Sequence, residues 1–238
     1  MKLDSSKVAV VTGGASGLGE ATARGLASKG VKVGIFDMND ERGKVVASEI
    51  GGVFVKVNVA DNESVDQGFE AVRSVNGQER ILVNCAGIGG AEKTVSRNRE
   101  NGAIIPHDVD RYVRIININL IGSFLCASKS AAGMMTLDPI EPDGERGVVI
   151  NTASVAAQDG QIGQVAYSAS KGGILAMALP MARDLAREGI RVNTILPGFY
   201  ETPIYGQMND NVKDALRAHL QFPNRFGDAS EYSQVVEF

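Results

Sequence analysis

The stretch KVAVVTGGASGLGE, Lys7 to Glu20, decides the fold, because an apolar run leads through glycines at 13, 17 and 19 into a helical pattern. An apolar β-branched run without polar alternation predicts a strand buried on both faces of a sheet. Glycines between such a strand and a helix let the backbone approach a pyrophosphate, which the helix N-terminus attracts. The chain holds 28 glycines, so a turn kept only for close packing is the alternative. The placement between strand and helix favours a nucleotide site.

The same alternation of short apolar runs and helical patterns continues along the chain. Further strand-like runs are VKVGIF (31 to 36), GVFVKV (52 to 57), RILVNC (80 to 85), GVVINT (147 to 152) and IRVNTI (190 to 195). No repeat or low-complexity linker divides them. The pattern predicts an α/β protein: a single-domain Rossmann fold over residues 1 to 238, with a doubly wound parallel sheet and helices on both faces.

Two long excursions break this rhythm, at residues 91 to 110 and 197 to 228. Both follow the predicted ends of strands, on the side where such sheets bind ligands. Long connections in compact domains are more often functional loops than filler, so we expect both to be substrate loops.

The composition limits the classes of partner that the protein is expected to bind. A net charge of -4, with acidic and basic residues interspersed, gives no basic patch for nucleic acid. Cys85 and Cys126 lie in apolar settings, which predicts buried free thiols and a reducing compartment, not a disulfide or metal site. No signal sequence is visible, and no apolar run approaches the roughly 18 residues that span a membrane. We expect a cytoplasmic protein with no membrane, nucleic-acid or metal partner.

Asp37 ends the second strand about 20 residues beyond the glycine turn, where an acid binds the cofactor ribose in such folds. A carboxylate accepts hydrogen bonds from a ribose 2′-hydroxyl and repels a 2′-phosphate. No Arg or Lys occurs in TGGASGLG to offset that repulsion. The sequence therefore predicts NAD and not NADP. The alternative is a surface aspartate that caps the next helix.

Tyr167 and Lys171, in YSASKGG, share one face of a helix because they are four residues apart. Ser154 follows the strand GVVINT, whose end opens toward the same crevice. With TGGASGLG (12 to 19), NCAG (84 to 87), NINLIG (117 to 122) and PGFYETP (197 to 203), these residues resemble the short-chain dehydrogenase/reductase family over nearly the whole chain.

The resemblance implies a catalytic tetrad and a cofactor site. The tetrad is Asn119, Ser154, Tyr167 and Lys171. The residues expected to contact the cofactor are Gly13, Ser16, Gly17, Leu18, Gly19, Asp37, Asn58, Val59, Asn84, Ala86, Gly87, Tyr167, Lys171, Pro197, Gly198 and Thr202. Asn58 stands where the family usually has an acid that touches the adenine, and Asp61 is a less favoured substitute. Buried structural amides are the alternative roles of Asn84 and Asn119.

Oxidation of a secondary alcohol needs a base for the hydroxyl proton while hydride leaves carbon. A free tyrosine, with a pKa of about 10, is a poor base near neutral pH. We expect the Lys171 ammonium and the positive nicotinamide ring to lower that pKa for Tyr167. Ser154 would hold the reacting oxygen, and Asn119 would hold a water that links Lys171 to solvent.

The substrate rests on a closer resemblance, to family members that interconvert 3-hydroxyacyl-CoA and 3-ketoacyl-CoA and have a similar insertion. It implies that Ser154, Gln161, Gln164, Tyr167 and Phe199 contact the substrate. It also implies a homotetramer and a final strand after the helix EYSQVVEF. The alternatives are a secondary-alcohol or hydroxysteroid dehydrogenase, an NADPH-linked acyl-carrier-protein reductase and a non-catalytic NAD-binding scaffold.

Side-chain chemistry adds further expectations for the two long loops. The apolar pocket wall is expected to include Phe199, Tyr200, Ile204, Tyr205 and Met208. Basic residues in the insertion, Lys93, Arg97 and Arg99, would meet CoA phosphates or remain solvated. His107 and His219 are predicted to be loop or surface residues.

Overall fold

A computed structural model describes residues 1 to 202, 216 to 217 and 220 to 238. Its main sheet has six parallel strands in the order β3-β2-β1-β4-β7-β8. The described residues contain the strands β1 Val8–Thr12, β2 Lys32–Asp37, β3 Val53–Lys56, β4 Ile81–Asn84, β5 Val95–Arg97, β6 Ile104–Pro106, β7 Gly147–Thr152 and β8 Ile190–Ile195. The strand order reverses between β1 and β4, and parallel sheets of this kind bind ligands beyond the carboxyl ends at that point.

Helices cover both faces of the sheet in the described part of the chain. They are α1 Gly17–Ser28, α2 Asp40–Ile50, α3 Asn62–Asn76, α4 Val109–Ile116, α5 Gly122–Met134, α6 Val165–Leu185 and α7 Ala229–Glu237. These helices and the parallel sheet confirm the predicted single-domain Rossmann fold.

The core forms two layers because successive side chains of each strand point to opposite faces. Ala9 and Val11 of β1 join one cluster, which includes Leu26 of α1 and Tyr232 of α7. Val10 joins the other cluster, with helices α3 and α5 on the opposite face. Burial on both faces explains why the strands read as continuous apolar runs.

One helical segment runs from Val109 to Met134, through α4, a π-helical turn at Asn117–Ile121 and α5. By length and composition it passes as a membrane span, so the expectation that no segment approaches that length was wrong. However, 44% of its most apolar window is buried inside the fold. Cys126 and Met134 belong to the same core cluster as residues of α3 and of the sheet. Such burial is typical of a helix that packs against a sheet in the core of a protein.

The first long excursion forms a small antiparallel hairpin. Strands β5 and β6 pair from Val95↔Pro106 to Arg97↔Ile104 and are almost entirely exposed. The base of this insertion is fixed because the Glu92 amide donates to the Gly163 carbonyl over 2.8 Å. Residues 203 to 215 and 218 to 219 of the second excursion, which include the predicted pocket residues Ile204, Tyr205 and Met208 and also His219, lie outside the described residues.

Candidate active site

A cleft of about 480 Å³ opens at the carboxyl ends of β1, β2, β4 and β7, at the reversal of strand order. It is lined by sixteen of the residues that the sequence predicts to bind ligands: Gly13, Ser16, Gly17, Leu18, Gly19, Asp37, Asn58, Val59, Ala86, Gly87, Ser154, Tyr167, Lys171, Pro197, Gly198 and Thr202. The fold therefore brings the glycine turn and the Ser-Tyr-Lys group to one cavity, although they are far apart in sequence.

The glycine turn packs so closely against neighbouring backbone that a side chain does not fit at two of its positions. A Cβ on Gly13, whose φ is +68°, would lie 2.8 Å from the Ala86 amide nitrogen. A Cβ on Gly19 would lie 2.2 Å from the Gly13 carbonyl oxygen. The N-terminus of α1 thus meets the cleft with bare backbone, which fits the pyrophosphate of a dinucleotide.

Asp37 stands at the rim of the cleft with both carboxylate oxygens fixed. One accepts the Ala15 amide over 3.0 Å and the other accepts the Asn39 amide over 2.9 Å. The N-cap of α2 is Asn39, whose side chain accepts the Arg42 amide. Asp37 is therefore not the cap, and its charge is held where a cofactor ribose would lie.

Asn58, rather than Asp61, reaches the cleft beyond β3. The Asn58 side chain accepts the Ala60 amide over 3.1 Å, which fixes it in a local turn. The Asp61 carboxylate accepts the Ser64 amide over 2.9 Å and caps α3. These contacts explain why an acid three residues later does not replace Asn58.

Lys171 lies on α6 and is 5% exposed. Its Nζ donates to the Thr152 carbonyl over 2.7 Å and lies 5.7 Å from the centre of the Tyr167 ring. Burial lowers the pKa of the Lys171 ammonium from 10.5 to about 8, while charge on Cys85 acts in the opposite direction. The ammonium is thus partly desolvated and held by the end of β7.

Tyr167 differs from the expectation that its pKa is lowered. Burial raises the pKa of the phenol, and a hydrogen bond from Ser154 acts against that rise. The physical reason is that the ring leaves water while Lys171 remains several ångströms away. Lowering this pKa therefore requires more positive charge than the protein itself supplies.

Ser154 ends the turn that follows β7 and is almost fully buried. It is the N-cap of a 3₁₀ turn at Val155–Ala157, and its Oγ accepts the Ala156 amide over 3.2 Å. This contact uses an acceptor lone pair and leaves the hydroxyl proton for donation, either to Tyr167 or to a ligand oxygen. Ser154 can therefore donate to a carbonyl or alcohol oxygen in the cleft.

Asn119 is fully buried in the π-helical turn and does not line the cleft. Its Oδ1 accepts the Ile88 amide over 2.8 Å, and its Nδ2 donates to the Ile88 carbonyl and to Ser170 Oγ, both over 3.0 Å. The side-chain amide is thus committed to the protein, which agrees with the alternative of a buried structural amide; the predicted role of Asn119 in holding a water stays a prediction. The amide fixes the chain after β4 to the turn of α6 that carries Lys171.

Asn84 likewise has a structural side chain. Its Nδ2 donates to Asn151 Oδ1 over 2.9 Å and to the Ser123 carbonyl over 3.1 Å. The amide lies inside the sheet between β4 and β7, away from the cleft. This geometry agrees with the alternative of a buried structural amide, and Asn84 is not among the residues that line the cleft.

Three predicted substrate contacts lie outside the described cleft. The Gln161 amide donates to Gln164 Oε1 over 2.9 Å, which closes the loop before α6. The Phe199 ring packs against Phe226 at 6.1 Å between centres. By contrast, Tyr200 lines the cleft as predicted.

Several lining residues were not predicted, among them Cys85, Arg114, Ile118 and Thr152. Thr152 ends β7 two residues before Ser154, so its place in the strand pattern was a usable signal. Ile118 lies in the motif NINLIG but was given no role, and Arg114, four residues before it in α4, lies in no motif. Both cysteines are free thiols, as predicted.

The insertion carries its basic residues away from the cleft. Lys93, Arg97 and Arg99 are exposed, and Arg97 donates to the Gly102 carbonyl over 3.1 Å. His107 lies in the loop between β6 and α4, as predicted, but both its ring nitrogens are buried without a hydrogen-bond partner and the ring meets Tyr112 edge-on. Among residues 1 to 202, 216 to 217 and 220 to 238, no group of three or more metal-binding side chains forms.

Comparison with known proteins decides the family. The family model described as short chain dehydrogenase matches residues 7 to 213. This chain belongs to the short-chain dehydrogenase family. It is 44% identical over 232 residues to a Drosophila melanogaster protein named 3-hydroxyacyl-CoA dehydrogenase type-2, covering 97% of this chain and 89% of that relative. A Rattus norvegicus protein of the same name is 43% identical over 232 residues, with coverage of 97% and 87%.

A solved structure that is similar in fold has the same name as these relatives. The crystal structure named 3-hydroxyacyl-CoA dehydrogenase type-2 from Mycobacterium avium matches with a TM-score of 0.90 and 38% identity, over 100% of this chain and 91% of that one. This short-chain dehydrogenase is therefore an oxidoreductase that acts on a CH–OH donor with a nicotinamide cofactor.

Proposed function

We propose that the chain is an NAD-dependent 3-hydroxyacyl-CoA dehydrogenase, with Ser154, Tyr167 and Lys171 as its catalytic residues. The observation that carries the reaction is the convergence of these three side chains on one cleft with the glycine turn. The proposed substrate class is supported by the names of the relatives. The proposed preference for NAD over NADP is supported by the fixed carboxylate of Asp37.

In this proposal, bound NAD supplies the hydride acceptor. The Tyr167 phenolate takes the proton of the substrate hydroxyl, and Ser154 donates to the same oxygen and holds it in place. The Lys171 ammonium stabilises the phenolate through its charge. Because Lys171 is held by the Thr152 carbonyl, its charge stays beside the reacting group throughout the reaction.

A CoA-free substrate is the second candidate, since one observation favours it. The exposed residues Lys93, Arg97 and Arg99, which would meet CoA phosphates, do not line the described cleft. A secondary-alcohol or hydroxysteroid dehydrogenase has no need of such contacts. The two candidates share the catalytic residues and differ only in what lies beyond them.

The experiment compares kcat/KM for acetoacetyl-CoA with that for acetoacetate esters, simple ketones and ketosteroids, each with NADH and NADPH. We expect acetoacetyl-CoA with NADH to be preferred by at least about tenfold over every other pair. A preference for a CoA-free ketone would favour the second candidate. A preference for NADPH would refute the role given to Asp37.

We also propose a cytoplasmic homotetramer. Two free thiols support a reducing compartment. Exposed apolar side chains on the helical segment through α4 and α5, including Ile121 and Phe124, support association with further copies. Light scattering during size-exclusion chromatography would test the tetramer, and a monomer at micromolar concentration would refute it.

A further inference from the structure

A buried polar chain connects helix α7 to Lys171 through Thr152, which itself lines the cleft. The Tyr232 hydroxyl on α7 lies 2.6 Å from Thr152 Oγ1. Thr152 also offers its carbonyl oxygen to Lys171 Nζ over 2.7 Å. One residue therefore connects the last described helix to the proposed catalytic lysine.

The direction of the hydrogen bonds along this chain follows from the contact between Thr152 and Cys85. Thr152 Oγ1 donates to Cys85 Sγ over 3.5 Å, so its lone pairs remain free to accept the Tyr232 hydroxyl. Tyr232 is 0% exposed, and burial raises its phenol pKa well above the ordinary value. The phenol therefore stays protonated, so it can donate to Thr152 Oγ1 while its oxygen accepts from Cys85 Sγ over 3.9 Å.

Helix α7 is held rigidly enough to act as a support. It packs on α1 so closely that a Cβ on Gly25 would lie 2.1 Å from Ser233 Oγ. Ser233 also donates to Glu237 over 2.8 Å. The Tyr232 ring meets Tyr200, which lines the cleft, at 6.3 Å and nearly perpendicular.

We propose that Tyr232 is a positioning residue, whose hydroxyl fixes Thr152 so that the Thr152 carbonyl holds the Lys171 ammonium beside Tyr167. The proposal rests on the proposed role of Lys171 in catalysis. Thr152 is β-branched and has few side-chain orientations, so a bond at Oγ1 restrains the backbone at the end of β7. The same restraint extends to Ser154, two residues later.

Only two titratable side chains face Lys171 in the described part of the chain: Tyr167 on its own helix and Cys85 at the end of β4. Loss of the Tyr232 hydroxyl leaves Tyr167 unchanged, removes the long contact that the hydroxyl makes with Cys85 Sγ at 3.9 Å, and loosens the carbonyl that accepts from Lys171. A less stabilised ammonium gives a less stabilised phenolate. The acidic limb of the kcat profile should therefore move to higher pH.

The test is Tyr232→Phe, which removes one oxygen and keeps the buried ring. We expect the acidic limb of kcat for alcohol oxidation to rise by about 0.5 pH unit, so that kcat below the limb falls roughly threefold. The KM for NAD should change less than about twofold, since Tyr232 does not line the cleft. Ser233→Ala is the matched control: it removes a buried hydroxyl from the same helix and should leave the pH profile unchanged.

Thr152→Val provides a second route if Tyr232→Phe folds poorly. It keeps the carbonyl and removes Oγ1, so it should shift the limb in the same direction. The double variant should shift it no further, because both changes break the same link. An unchanged limb in both single variants, or additive shifts in the double variant, would overturn the proposal. Lys171→Met separates the two claims, since its full activity would instead refute the role of Lys171.

Discussion

Replacement of Asp37 by alanine should change the cofactor preference, because this carboxylate is the fixed negative charge at the ribose end of the cleft. For NAD, the loss of a charged hydrogen-bond acceptor costs about 2 kcal/mol. For NADP, the gain is the repulsion that disappears. Two unit charges about 4 Å apart near a protein surface repel by about 4 kcal/mol at an effective dielectric constant of 20. The open rim and dissolved salt reduce that gain to about 1 to 2 kcal/mol.

The structure adds a reason for NADP to benefit. Without the carboxylate, the amides of Ala15 and Asn39 lose their acceptor and point at the vacated space, where a 2′-phosphate can accept from them. Together, the loss of binding free energy for NAD and the gain for NADP amount to about 3 to 4 kcal/mol. The ratio of kcat/KM for NAD to that for NADP should therefore fall roughly 300-fold in Asp37→Ala.

The assay measures initial rates of alcohol oxidation with each cofactor at fixed ionic strength. Asp40→Asn is the matched control, because it removes one negative charge three residues away and Asp40 does not line the cleft. That variant loses only its surface pair with Lys44 and should shift the ratio less than about twofold. An unchanged ratio in Asp37→Ala, or an equal shift in both variants, would refute the reasoning.

Three further predictions concern catalysis and stability. Tyr167→Phe should lower turnover at least about 1,000-fold while the Kd for NADH, from fluorescence titration, stays within about twofold; retained turnover would exclude Tyr167 as the base. Lys171→Met should stabilise the cofactor-free protein by about 3 kcal/mol at pH 7, because a pKa lowered from 10.5 to about 8 penalises the folded state below pH 8. The penalty fades between pH 8 and 10.5, so denaturant unfolding should show the gain vanish there; a gain independent of pH would contradict this cause. Glu79→Ala should cost about 3 kcal/mol in urea unfolding, since Glu79 is fully buried and paired with Arg73, whereas exposed Glu70→Ala should cost less than about 0.5 kcal/mol; equal losses would refute it.

The parts of the site that follow from local chemistry were predictable from sequence. The glycine turn, Asp37 and the Tyr167–Lys171 pair each depend on spacing within a few residues or on the end of one strand. A parallel sheet places the carboxyl ends of its strands at one edge, so their meeting in a cleft also follows. The structure confirms that these residues line one cavity.

The roles of buried amides were not predictable in the same way. Asn84 pairs with Asn151 across the sheet, and Asn119 pairs with Ile88 and Ser170 across the layer between sheet and helix. Such pairings depend on which distant residue the register brings opposite, and sequence spacing does not record that. For the same reason Tyr232 carried no signal, although it contacts the strand end that holds Lys171.

The π-helical turn at Asn117–Ile121 sets the angular register of the long helical segment that contains it. One extra residue in a helical turn rotates everything before it by about 100° relative to everything after it. That rotation lets the segment present Arg114 and Ile118 to the cleft while Asn119 turns inward and α5 packs beneath the sheet. Shortening the turn by one residue would rotate one of these surfaces away from its partners. The fold is therefore expected to tolerate substitutions in this turn more readily than deletions. A deletion would rotate the helix surface that lines the cleft relative to the surface that packs in the core.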